Sequence, residues 1–104
     1  MASYKVVLTE FALQDFNNLD PSVQKNALLQ FKKLEQYPQL GGPCGNKMGY
    51  DLTGYRKLYF GNKKFRLVYR IELERNTVKV VGLGKREHGE IYRMVSSRIR
   101  KNQT

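Results

Sequence analysis

At 104 residues with one cysteine, Cys44, the chain excludes an internal disulfide and a thiolate metal cage, and it suits a single domain over residues 1–104. The formal charge of +10 favours polyanionic partners and is unevenly placed: residues 1–52 hold five basic and five acidic side chains, residues 53–104 fourteen and four. Lys5 and Glu10 interrupt any early apolar stretch, and no run approaches the ~20 apolar residues of a membrane span, so a soluble, cytoplasmic protein with no membrane partner is expected.

Tyr4 to Leu8 reads as a short strand, and Thr9 follows as a helix N-cap with Glu10 where the helix dipole favours an acid. Leu13 and Phe16 supply the apolar side of a short first helix. Asp20 and Pro21 start a second, with Pro at the first position, where its missing N–H costs nothing. Val23, Ala27, Phe31 and Leu34 recur at helical spacing, and Pro38 predicts an end near Tyr37. The glycine-rich Gln39 to Gly49 stretch predicts a connecting loop; it lacks the residue order of a phosphate-cradling loop.

Three strands then follow: Tyr55 to Phe60, Lys64 to Ile71 and Val78 to Gly84, joined by turns at Gly61 to Lys64 and Glu74 to Thr77. A final helix begins near Gly89, with Ile91, Met94, Val95 and Ile99 as its apolar stripe. This order predicts an α+β domain: two N-terminal helices packed on a mostly antiparallel four-stranded sheet, plus a C-terminal helix. Alternation assigns Lys57, Tyr59 and Arg66 to the sheet face away from the N-terminal helices, expected to be partly open.

The stretches LTGYRKLYFGNKKFRLVYRI and VVGLGKREHGEIYRMVSSRI, behind a helix pair in matching order, resemble the RelE toxins of the RelE/ParE superfamily from bacterial type II toxin-antitoxin systems. The resemblance covers essentially the whole chain. It implies a small α+β fold and a metal-independent endoribonuclease, or messenger RNA interferase, that cuts messenger RNA on the ribosome. In that reaction the 2'-hydroxyl attacks the adjacent phosphate, leaving a 2',3'-cyclic phosphate and a 5'-hydroxyl. It implies no cofactor, ribosomal RNA contacts, and an antitoxin partner in a hetero-oligomer. Residue by residue, it implies catalytic roles for Arg66, Arg86 and Tyr92, and matches Lys57 to a basic residue of the first meander strand. Where the family pattern can carry a second lysine, this chain has Tyr59, with Arg56 just before Lys57.

The chemistry fits such residues. Arg66 and Arg86 offer donor forks for the charged transition state. Arg stays protonated, whereas a lysine crowded by cations can become a base, so Lys57 beside Arg56, Arg66 and Arg86 is a candidate proton acceptor. His88, the only histidine, reads either as an exposed loop residue or as a partner in proton transfer. Tyr92 follows Ile91, about 100° away from the apolar stripe, and is expected to face the site, with a core-boundary tyrosine as the alternative. Arg56, Tyr59, Lys85 and His88 are expected to complete the RNA-binding surface; Glu87 and Glu90 read as charge at a helix start, and Arg98, Arg100 and Lys101 as a basic tail attracting phosphates. Two rival readings share these features: a ParE-like inhibitor of DNA gyrase, and a nonenzymatic module that binds RNA or the ribosome.

Overall fold

The computed structural model describes residues 3–47, 49–85 and 87–102. In chain order it contains β1 (Lys5–Leu8), α1 (Glu10–Asn17), α2 (Pro21–Gln36), β2 (Gly42–Lys47), β3 (Tyr50–Phe60), β4 (Phe65–Glu72), β5 (Thr77–Lys85) and α3 (Glu90–Asn102). The strands form one sheet in the order β1-β5-β4-β3-β2, with β1 parallel to β5 and every other pair antiparallel. The α+β class is as expected, and the first two helices start where expected, although Asp20 makes no side-chain cap bond. The Thr9 hydroxyl accepts the Ala12 N–H at 3.1 Å, and Pro21 opens α2.

The sheet has five strands, not four, because the glycine-rich stretch expected as a loop is edge strand β2. Its partner is the front half of β3, which begins at Tyr50 rather than Tyr55. Glycine and proline are poor strand formers, yet an edge tolerates a residue with no N–H to donate, and the register slips between Pro43 and Gly45. Tyr69 of β4 pins the segment before β2: its hydroxyl donates to Pro38 O at 2.7 Å and accepts the Gly41 N–H at 2.9 Å. Burial raises the pKa of that phenol above its ordinary value.

Two apolar layers flank the sheet. On one face Ala12 of α1 and Ala27, Phe31 and Leu34 of α2 pack on Phe60, Leu67, Tyr69, Val78, Val80 and Leu83. Fully burying a side chain such as Leu34 is worth about 1.5–3 kcal/mol. On the other face Ile91, Tyr92 and Val95 of α3 pack on Cys44, Leu52, Val68 and Val81. The face expected to be partly open is therefore covered along its middle by α3, leaving its β3–β4 hairpin end for Tyr59 and Arg66. Among the described residues, no helix is long and apolar enough to cross a membrane.

The landing of α3 depends on an irregularity in β5. Val68 pairs with Gly82 while its neighbour Tyr69 pairs with Val80, so Val81 is an extra, bulged residue. Val81 and Gly82 then both face α3. A Cβ on Gly82 would lie 2.8 Å from Val95 Cγ2 and 3.3 Å from Ile91 Cδ1, so the glycine is what lets the helix approach.

Candidate functional site

The β3–β4 hairpin brings the site together. Gly61, Asn62 and Lys63 all take positive φ in the turn, setting Phe60 opposite Phe65 and hence Tyr59 opposite Arg66. Lys57, opposite Val68, is the diagonal neighbour of Arg66 on the same face. From the other side, α3 lowers Tyr92 onto the pair.

Arg66 sits between two phenols. Its Nη1 donates to the Tyr92 hydroxyl, and its Nη2 donates to the Tyr59 hydroxyl at 3.1 Å. The guanidinium carbon lies 4.9 Å from the centroid of the Tyr59 ring and 5.1 Å from that of Tyr92, so both rings hold the cation electrostatically. Nε of Arg66 is buried and has no hydrogen-bond partner among the described residues. The ion pairs among those residues join Glu90 to Arg93 and Asp15 to Arg98, not Arg66 to an acid. Arg66 is thus a half-buried cation without a carboxylate among the described residues, a state that suits a ligand supplying the negative charge.

Tyr92, expected to face the site with a core-boundary tyrosine as the alternative, is only 2 % exposed, and its ring belongs to the α3 core. The reason is the width of the stripe, since Tyr92, Val95 and Ile99 recur at three and four residues beside Ile91. The hydroxyl and one face of the ring reach Arg66. Burial of the ring and service to Arg66 are therefore combined in one residue.

Two residues expected on the RNA-binding surface are placed elsewhere. Arg56 pairs with Tyr69 and shares its face toward the N-terminal helices, where Nε donates to Gly41 O at 2.9 Å and Nη2 to Gln39 O at 3.4 Å. It tethers the segment before β2 and no longer counts among the cations crowding Lys57. Lys85 lies opposite Phe65 and lines a cleft with Asp15, Asn18 and Asp20 on the α1 side. The bulge at Val81 shifts the alternation of β5 by one residue and turns Lys85 away from Arg66. Arg86 lies outside the described residues, as does the side chain of His88. Glu90 pairs with Arg93 at 3.4 Å with both side chains mostly exposed, a contact of little energetic weight.

Arg98, expected in a phosphate-attracting tail, is committed to α1. Its Nη1 and Nη2 reach the two carboxylate oxygens of Asp15 at 2.7 and 3.0 Å, and Nη1 also donates to Val81 O at 3.0 Å. Asp15 accepts the Leu83 N–H at 3.1 Å as well. Because β1 ends at Leu8, these edge groups of β5 beyond Val80 are met by side chains instead of a strand. The pair clasps α1 to α3 around the sheet edge.

The comparisons agree with this architecture. The family described as ParE toxin of type II toxin-antitoxin system, parDE, matches residues 6–89. An Escherichia coli protein described as a RelE-like toxin is 31% identical over 97 residues, covering 93% of this chain and 98% of that protein. A solved free-state Escherichia coli toxin RelE with two arginine-to-alanine substitutions has a TM-score of 0.75 at 23% identity, over 93% of this chain and 98% of that one, a likeness of fold. In the toxin-antitoxin complex RelBE2 from Mycobacterium tuberculosis, the matching chain is 29% identical with a TM-score of 0.66, over 81% of this chain and 99% of that one.

Proposed function

Because the chain belongs to the RelE/ParE superfamily of toxins from type II toxin-antitoxin systems, we propose that it is a metal-independent endoribonuclease acting on messenger RNA at the ribosome, in the cytoplasm. The observation that carries this reading is Arg66, a cation with no carboxylate partner among the described residues, stacked between Tyr59 and Tyr92 and diagonal to Lys57. Cleavage by the neighbouring 2'-hydroxyl concentrates negative charge on a phosphorane-like transition state, where a fixed guanidinium is most useful. Lys57 is the candidate proton acceptor and Arg86 a second cation for the phosphate. Tyr92 holds Arg66 in place from within the core. The products carry a 2',3'-cyclic phosphate and a 5'-hydroxyl.

A cognate antitoxin belongs to the same proposal. The Mycobacterium tuberculosis relative is solved as a toxin-antitoxin complex, and a charge of +10 favours an acidic partner in a hetero-oligomer. Gyrase inhibition is the second reading, favoured by the name of the matching family. That match ends at residue 89, before Tyr92, whereas similarity to the RelE-like relative spans 93% of the chain. The deciding experiment is inducible expression in bacteria with mapping of messenger RNA 5' ends. New 5'-hydroxyl ends within translated codons, lost in Arg66→Lys at equal protein level, are the expected result. Growth arrest with intact messages and a DNA-damage response would transfer the assignment to gyrase.

A further inference from the structure

We propose that Tyr59 is a gate on Arg66: in the free protein its hydroxyl occupies the guanidinium edge that a phosphodiester of bound RNA takes over. The inference rests on the RNA-binding reading above and adds to it a closed state of the site.

A guanidinium presents its best fork for two phosphate oxygens along the edge formed by Nε–H and the neighbouring Nη2–H, which point in parallel. Here that edge is half spent. Nη2 is on the Tyr59 hydroxyl at 3.1 Å, while Nε, next to it, is buried with no partner among the described residues. A buried donor left unpaired is unfavourable and rare, and the Tyr59 hydroxyl as placed meets only Nη2. Two oxygens of one phosphate can meet both positions. The closed arrangement therefore leaves unmade a bond that the open one supplies.

Of the two phenols, only Tyr59 is placed to yield. Tyr92 binds Nη1, away from the Nε–Nη2 edge, and its ring is locked among Ile91, Val95 and Val68 at 2 % exposure. Tyr59 of β3 is 36% exposed, with its ring centroid 4.9 Å from the guanidinium carbon. Exposed side chains change rotamer in picoseconds to nanoseconds, so departure of Tyr59 needs no movement of the backbone. Once displaced, its ring is free to stack on a base flanking the bound phosphate, as aromatic side chains do with single-stranded RNA. A lysine at this position would repel Arg66 and leave the edge open; tyrosine caps it.

The test uses an RNA hexanucleotide methylated at every 2'-hydroxyl, which cannot be cut, so binding is read without chemistry. Affinity is measured by fluorescence anisotropy for the wild type, Tyr59→Phe, Arg66→Lys and the double variant, and the Arg66 Nε–H resonance is followed by NMR. Tyr59→Phe removes only the competing hydroxyl and keeps the ring. It is expected to bind about three- to tenfold tighter than wild type, the scale of one partly solvated charge-assisted hydrogen bond. In the Arg66→Lys background the gain should vanish, and the Nε–H signal should shift on RNA addition in both Arg66-containing proteins. Unchanged or weaker binding by Tyr59→Phe, or an Nε–H signal that stays put, overturns the gate. Cleavage of the unmethylated message is scored separately: RNA bound through Arg66 but left whole on translating ribosomes would defeat the ribonuclease reading and leave the gate standing.

Discussion

Replacing Asp15 by alanine tests how the site is held. Its carboxylate is the acidic partner of Arg98 among the described residues, and it also accepts the Leu83 N–H. The side chains of Arg98 and Asp15 are 15% and 13% exposed, so the pair is largely desolvated but not sealed. Removing one partner from a fully buried pair costs about 3–5 kcal/mol, mostly from the charge left behind; with this residual exposure ~2–4 kcal/mol is expected. For a domain of this size that lowers the melting temperature by roughly 10–25 °C. Urea unfolding of Asp15→Ala, Arg98→Met and the double variant gives the coupling directly. The double variant should lose less than the two single losses combined, by about 1.5–3 kcal/mol, because it leaves no orphaned charge. Amide exchange should speed up in α3 more than in the centre of the sheet. A loss below ~0.5 kcal/mol for Asp15→Ala, or strict additivity, would refute the clasp as a structural element.

Other substitutions probe separate parts of the molecule. Arg66→Lys keeps the charge and removes the fork, and cleavage of messenger RNA is expected to fall by about 10²-fold or more with little change in the urea midpoint. Tyr69→Phe strips the partner from the Gly41 N–H and should cost ~1–3 kcal/mol. It should also change the alkaline limb of stability. The native phenol holds its proton more tightly than the unfolded one, so its contribution is complete below the ordinary value of 10.0 and is lost as pH rises from there through the raised native value. Denaturation followed between pH 9 and 12 should show that limb flattened in the Phe variant. Gly82→Ala places a methyl 2.8 Å from Val95 Cγ2 and 3.1 Å from Arg98 Nη1, so a loss of about 1–3 kcal/mol is expected in urea unfolding.

What could be read from the sequence was local. Thr9 and the Asp20-Pro21 pair announce helix starts because caps and a first-turn proline act within a few residues, and strand alternation separates Leu67 and Tyr69 from Arg66 and Val68. The same alternation already sets Arg56 on the opposite face from Lys57, a signal that its basic character obscured. Features requiring partners distant in sequence were not legible. β2 exists because β3 offers it hydrogen bonds, not because Gly42 to Lys47 favours a strand. Lys85 faces α1 only because Val81 bulges, and the one local hint of that bulge is Gly82 inside the strand pattern. The placement of Tyr59 against Arg66, by contrast, follows once the hairpin register is fixed by the turn at Gly61 to Lys64.

The charge count directs attention to the second half of the chain, where the whole excess of positive charge lies. Among the described residues, the geometry sets cations spent on acids or backbone carbonyls apart from one held between two phenols. Arg98 is neutralised by Asp15, Arg56 is spent on backbone carbonyls, and Arg93 rests on Glu90. Arg66 is different: its neighbours are phenols, which position a guanidinium without cancelling its charge. That distinction depends on α3, because Tyr92 reaches Arg66 only while the helix is seated over Val81 and Gly82. The seat is in turn secured by Asp15, a residue of the half that carries no net charge. A substitution in α1 is therefore expected to act on the chemistry of β4 through the position of one tyrosine. Asp15→Ala assayed below its melting temperature should lower messenger RNA cleavage, and adding Arg98→Met, which removes the orphaned charge, should restore part of it. Cleavage unchanged in a variant whose α3 exchanges faster would show that Tyr92 is not needed to hold Arg66.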